Sequence, residues 1–207
     1  MSGEKNQVLE NMKTRRSIRK YKPDMVPKEI IEKIAEAGTY AATGMGKQSP
    51  IIIAVTNKEL RDRLSKMNAQ VMGSNSDPFY GAPVVLIVLA NKNYGTYVYD
   101  GSLVMGNLML AAHELGIARC WIHRAKEEFE TQWGKELLKS LGIEDEYEGI
   151  GHCALGYVYG EYPNTPERKE NRVYYIRERE NMDKNKKKIN EECNLTKKYK
   201  NKLANDD

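Results

Sequence analysis

The sequence predicts a layered domain of α/β or α+β class. Three observations predict it. Short β-branched or continuously apolar runs alternate with segments of helical periodicity. Stretches rich in Gly, Ser, Asn, Asp and Pro separate them. Forty per cent of the 207 residues are apolar, which suits one domain with a real core and excludes a wholly disordered chain.

The elements follow in order. Residues 4–13 can form a short helix with Val8, Leu9 and Met12 on one face. From Pro27, which suits a first turn, Ile30, Ile31, Ile34 and Ala35 repeat with helical spacing. Residues 51–56 read as a strand, and Asn57 is placed to cap a helix carrying Leu60, Leu64, Met67 and Val71. Residues 73–83 read as a loop. Residues 84–90 are continuously apolar, as a strand buried on both faces would be. Residues 100–116 are apolar almost all round, so a helix there belongs in the middle of the protein, with Gly116 ending it. Residues 117–122 read as a strand. Phe129, Trp133, Leu137, Leu138 and Leu141 mark one amphipathic helix ending at Gly142, and residues 149–159 a last strand.

The tail differs. Residues 177–207 hold ten basic and seven acidic side chains and few apolar ones, so they cannot bury much surface alone. Two regions are expected: a folded domain over 1–176 and a charged tail over 177–207. Lys and Arg exceed Asp and Glu by 33 − 29 = 4, too mild a surplus to argue for nucleic acid. No apolar run reaches the roughly 20 residues of a membrane helix. The polar first residues carry no signal-peptide pattern, and three cysteines make no disulfide framework, so a cytoplasmic protein with reduced thiols is expected.

Four clusters carry chemistry. Residues 15–21, Arg-Arg-Ser-Ile-Arg-Lys-Tyr, place three guanidiniums and a hydroxyl within five positions. On extended chain Arg15, Ser17 and Arg19 share one side, which would make a compact anion clamp; taken alone, the run reads first as a solvated basic patch, and a nucleic-acid contact is a third reading that no recognisable binding motif accompanies. Residues 41–50, Ala-Ala-Thr-Gly-Met-Gly-Lys-Gln-Ser-Pro, let a flat ligand approach the backbone. They are no P-loop, because Ala41 replaces the first Gly and Gln48 the Ser or Thr that binds magnesium. Cys120, His123, His152 and Cys153 invite a zinc reading, but His152 and Cys153 are neighbours on a strand and point to opposite faces. Neither thiol is marked as activated. The fourth cluster runs from Gly156-Tyr157 through Arg168, Lys169 and Arg172 to Val173-Tyr174-Tyr175-Ile176.

The order of these parts over residues 8–176 resembles the FMN-dependent nitroreductase family. The resemblance rests on residues 15–21, on residues 43–50, on the helix over 100–116 followed by Cys120-Trp121-Ile122, and on Gly156-Tyr157 with Arg168-Lys169 after it. It implies an α+β three-layer fold, with a central, mostly antiparallel sheet flanked by helices. It also implies a domain-swapped homodimer with two FMN sites built from both subunits. The helix over 100–116 would lie at the dimer core, and residues 173–176 would join the partner's sheet. By the same resemblance Arg15, Arg16, Ser17 and Arg19 hold FMN, Arg15 and Ser17 at the phosphate and Arg19 at the flavin N1/O2 edge. Arg168 adds a phosphate contact, with Arg172 as a helper. Asn68 meets the pyrimidine edge. Thr43, Gly44, Met45 and Gln48 close the site from the other subunit, and the backbone near Ile122 and His123 faces flavin N5.

The implied activity is two-electron reduction of nitroaromatics, quinones or related small-molecule acceptors, driven by NADH or NADPH in alternating half-reactions. The cofactor carries the chemistry, so no protein acid, base or nucleophile and no metal is expected. A cation near N1 favours hydride acceptance, because reduced flavin is an anion there. Gly46 stands where many members have Asn, and Ser49-Pro50 where many have Pro-Trp; both bear on the acceptor. Other flavin chemistry on the same fold (flavin breakdown, substrate dehydrogenation) and a non-catalytic flavin- or nucleic-acid-binding protein are the alternatives.

Overall fold

A computed structural model describes residues 6–176. The charged tail, with Cys193, lies outside the described residues. Ten elements follow one another: α1 (Gln7–Thr14), α2 (Lys28–Thr39), β1 (Pro50–Val55), α3 (Lys58–Val71), β2 (Val84–Asn91), α4 (Tyr97–Glu114), β3 (Ala118–Ile122), α5 (Ala125–Glu130), α6 (Gln132–Ser140) and β4 (Tyr147–Gly156). The strands form one sheet in the order β1-β2-β4-β3, antiparallel throughout. The class is therefore α+β.

Every residue of β2 is buried, and its alternation builds both cores. Leu86 and Val88 pack with Ile34 of α2 and with Val104, Met105 and Leu108 of α4. Val85, Ile87 and Leu89 face the other way, onto Leu64 of α3, Phe129 of α5 and Leu138 of α6. Three layers result: α2 and α4, the sheet, then α3, α5 and α6. Gly101 sets the spacing of α4 on the sheet, since a Cβ there would lie 2.5 Å from Ile150.

The caps agree with the sequence. Asn57 accepts from Leu60 N at 2.9 Å. Gly116 takes φ 71°, and the Ile117 N–H returns to the Ala112 carbonyl at 2.7 Å, closing α4 in a Schellman turn.

Three expectations are corrected. The amphipathic run expected as one helix ending at Gly142 is two, α5 and α6. Thr131 is extended and its hydroxyl caps α6 by accepting from Gly134 N at 3.1 Å; Gly134 allows the close return, its would-be Cβ lying 2.5 Å from the Glu128 carbonyl. The final strand stops at Gly156, and beyond it Val158 keeps only a bridge to Tyr21. Helix α4 starts at Tyr97 and, within one protomer, is buried along one side only: Val98, Tyr99 and Leu103 are exposed. One compact unit ends at Thr165 and another begins at Pro166, whose residues 166–176 are exposed chain without regular structure.

Candidate active site

After α1 the chain runs extended, and the expected alternation is present. Arg16 and Ile18 turn inward and are buried; Arg15 and Ser17 are half-buried and Arg19 is exposed. The outward three converge over Cys120 of β3. Burial pushes that thiol up, while the Arg19 and Arg15 charges and a hydrogen bond with Ser17 work against it. A cleft of about 500 Å³ opens beside them, lined by Ser17, Arg19, Lys20, Tyr159 and Gly160.

Arg16 is placed differently from the sequence expectation. Its guanidinium donates to the carbonyls of Lys13 (2.6 Å) and Arg15 and to the Thr165 hydroxyl. These are the free carbonyls at the end of α1, which favour a cation. Arg16 thus caps α1, its Nε remaining buried without a partner, while Arg15, Ser17 and Arg19 are the residues turned outward.

Sequence reasoning missed the neighbours of that clamp. Arg119 on β3 is 1% exposed and donates to the Ile117 carbonyl at 2.7 Å and to the Tyr162 hydroxyl. Tyr162 stacks on His113, with ring centroids 6.0 Å apart. Thr14 Oγ1 donates to the Glu10 carbonyl, so His113 Nε2 carries a proton and donates to Thr14 at 2.8 Å; Nδ1 then accepts. Burial, and next the Arg119 and Arg15 charges, push the His113 pKa down to about 4, which leaves the ring neutral at pH 7. Among the described residues no carboxylate lies within ion-pair distance of Arg15, Arg16, Arg19 or Arg119, and Arg15 Nη1 is buried without a partner. A positive hole next to an open cleft suits an anionic group such as a phosphate. The sequence carried one unused signal, a charged residue within an otherwise apolar strand run.

The second group of expected residues sits at the opposite end of α4. Thr43, Gly44, Met45 and Gln48 belong to a loop bound to the start of that helix: Gly44 N donates to Asp100 Oδ1 at 3.0 Å, and Thr96 Oγ1 donates to Oδ2 at 3.0 Å. Met45 and Gln48 have φ of 52° and 50°, and Met45 is 90% exposed. A cleft of about 440 Å³ lies here, lined by Thr39, Thr43, Gln48 and Val104. Asp100 and His113 mark the two ends, separated by roughly 20 Å at 1.5 Å per helical residue. Within one chain the two groups of residues therefore do not meet.

Asn68 also departs from expectation. It is fully buried, and its amide nitrogen donates to the His123 carbonyl (2.8 Å) and to Glu128 Oε1 (2.6 Å), so no N–H remains for a ligand. Its link toward the surface is the backbone of His123, an exposed residue just past the end of β3. Ile122 ends β3 and is buried in the core on the side of α3, α5 and α6. Arg168 and Arg172 lie in the unit that begins at Pro166, on exposed chain. His152 and Cys153 do face opposite ways, Cys153 toward α4 and His152 toward Phe79 and Glu128. A larger cleft of about 580 Å³ near α6 is lined by charges of both signs, with Lys92 paired to Glu146 and Lys126 to Glu148.

An antiparallel sheet between two helical layers, with a guanidinium clamp on the chain leading into α2, defines the class. The nitroreductase family model matches residues 12–79 and 68–157, and the chain belongs to that family. A Methanothermobacter thermautotrophicus protein provisionally named NADH dehydrogenase/NAD(P)H nitroreductase is 34% identical over 126 residues, 56% of this chain and 61% of that protein. The chain thus spans less than two thirds of that relative. Among solved structures, a nitroreductase with bound FMN from Bacteroides fragilis is 30% identical with a TM-score of 0.74, covering 83% of this chain and all of that one. A nitroreductase with bound FMN from Desulfitobacterium hafniense is 26% identical with the same TM-score, covering 84% of this chain and all of that one.

Proposed function

We propose that this chain is an FMN-dependent oxidoreductase that acts as a homodimer in the cytoplasm, uses NADH or NADPH, and reduces nitroaromatics, quinones or related small acceptors. The observation that carries the reading is the uncompensated guanidinium pair Arg15 and Arg19 beside an open cleft, in a chain of this family.

When bound, FMN supplies hydride acceptance from the reduced nicotinamide and hydride delivery to the acceptor. The residues present fit it. Arg15 Nη1, buried and unpartnered, and Ser17 would hold the phosphate. Arg19 holds positive charge at the N1/O2 edge and favours the anionic reduced state. The backbone at Ile122 and His123 faces N5. His123 lies three residues beyond Cys120, about 10 Å along the strand direction, so the phosphate clamp and this backbone can hold the two ends of one extended ligand. Thr43, Gly44, Met45 and Gln48 of a second copy complete the slot. Their separation from the clamp along α4, and the apolar face that α4 leaves open, support assembly from two copies. Residues 173–176 extend across to that copy. One slot then serves both half-reactions, nicotinamide leaving before the acceptor enters.

The absorption spectrum of the purified dimer tests the reading. A flavin spectrum that bleaches on NADH or NADPH and returns with a quinone or nitroaromatic is expected. A colourless protein that takes up no added FMN overturns it.

A further inference from the structure

Behind the His123 backbone lies a buried polar trio that the flavin chemistry does not itself require. Asn68, Glu128 and His152 come from α3, α5 and β4 and are each no more than 1% exposed. Both partners of the Asn68 amide nitrogen are acceptors, which forces its orientation: Nδ2 toward the His123 carbonyl and Glu128 Oε1, Oδ1 away and without a partner. The other Glu128 oxygen lies 2.9 Å from His152 Nε2, within ion-pair distance, although neither atom completes a hydrogen bond there. The His152 ring is held in turn by Phe79, with centroids 5.1 Å apart.

The backbone held by this trio is strained. Arg124 takes φ 76°, left-handed for a residue with a Cβ, and its N–H points back to His123 Nδ1 at 2.7 Å. β4 closes on the same junction: a Cβ at Gly149 would fall 2.3 Å from the Ala125 carbonyl carbon. Such a conformation persists only where its surroundings over-determine it. Burying a carboxylate, an imidazole and an amide together is a costly way to fasten a helix that apolar packing would hold.

We infer that Asn68, Glu128 and His152 are positioning residues that hold the His123–Arg124 junction in the strained geometry it presents to flavin N5. The inference rests on the FMN reading. The trio acts through His123 and touches no reacting atom. It keeps the carbonyl of His123 turned inward and thereby directs the neighbouring backbone at the ligand. A rigid junction costs no reorganisation when charge moves onto the flavin.

The test compares the parent with Asn68→Ala, Glu128→Gln and Glu128→Ala. Three quantities are read: FMN Kd by fluorescence titration, the flavin midpoint potential, and amide hydrogen exchange at Arg124 and Ala125 in the FMN-free protein. Asn68→Ala and Glu128→Ala are expected to weaken FMN binding about tenfold, shift the potential and speed local exchange by about a hundredfold. Glu128→Gln keeps an oxygen for Asn68 and a polar partner for His152, so it stays within about threefold of the parent. If either alanine variant does not fold, Asn68→Leu carries the test, because it fills much the same volume and removes both N–H donors. A fall in Tm alone, with Kd, potential and local exchange as in the parent, overturns the inference and leaves the trio as packing. A parent that takes up no FMN overturns the underlying reading, and the inference with it.

Discussion

Arg61 and Arg15 are arginines of the same chain with opposite circumstances. Arg61 on α3 donates to the Ala82 carbonyl (2.9 Å), to Asp62 (3.0 Å) and to Asp77, and its guanidinium lies over the Phe79 ring at 5.5 Å. Asp77 also accepts from Ser65 and from the backbone of Phe79 and Gly81. Although partial burial pushes the other way, those hydrogen bonds hold its carboxyl below the ordinary range. That network is closed: it fastens the loop after α3 and has nothing left to offer. Around Arg15 there are cations and a neutral histidine, a buried N–H without a partner, and a cleft. A closed cluster stabilises the fold, whereas an open one stores its interaction for a ligand.

Breaking each cluster should therefore separate stability from binding. Arg15→Ala is expected to lose roughly 2–5 kcal/mol of FMN affinity, measured by retention through dialysis and by titration, with no loss of Tm. Retention equal to the parent's would remove Arg15 from the site. Arg61→Ala is expected to do the reverse. It should cost about 2–3 kcal/mol in urea unfolding, less than for a fully buried pair because Asp77 keeps some solvent contact, and leave FMN affinity unchanged while the protein is folded.

His113 sharpens the contrast through pH. It titrates near 6.5 when unfolded and at about 4 here, so the unfolded chain binds more protons between those values. Its contribution to stability is complete above about pH 6.5 and is lost as pH falls toward 4. His113→Gln should flatten that part of the stability profile. A phosphate bound at Arg15 should raise the His113 pKa, readable as a shift in its ring NMR titration. An unchanged titration on FMN addition would place the phosphate elsewhere. The smallest effect is expected from cutting after Ile176: the removed segment has little apolar content, so FMN retention should match the parent. Loss of the dimer on that truncation would assign the tail a structural part.

Much of the fold was legible because it is written in local patterns. The run from Val84 onward announced a strand buried on both faces, Asn57 and Gly116 announced caps, and the alternation of Arg15, Ser17 and Arg19 announced a one-sided clamp. The Arg16 and Asn68 roles were not legible in that way. Their hydrogen bonds span partners such as Thr165 and Glu128, which no spacing rule connects. The break at Thr131 was hidden because Phe129 and Trp133 keep one helical period across it.

By itself, the sequence determined the layers, the strand and helix order, the family and the basic clamp, since these depend on residue type and short-range periodicity. Only the tertiary structure decided which arginines are free. Charge compensation depends on groups brought together from distant positions: Asp77 reaches Arg61, while no described carboxylate reaches Arg15 or Arg119.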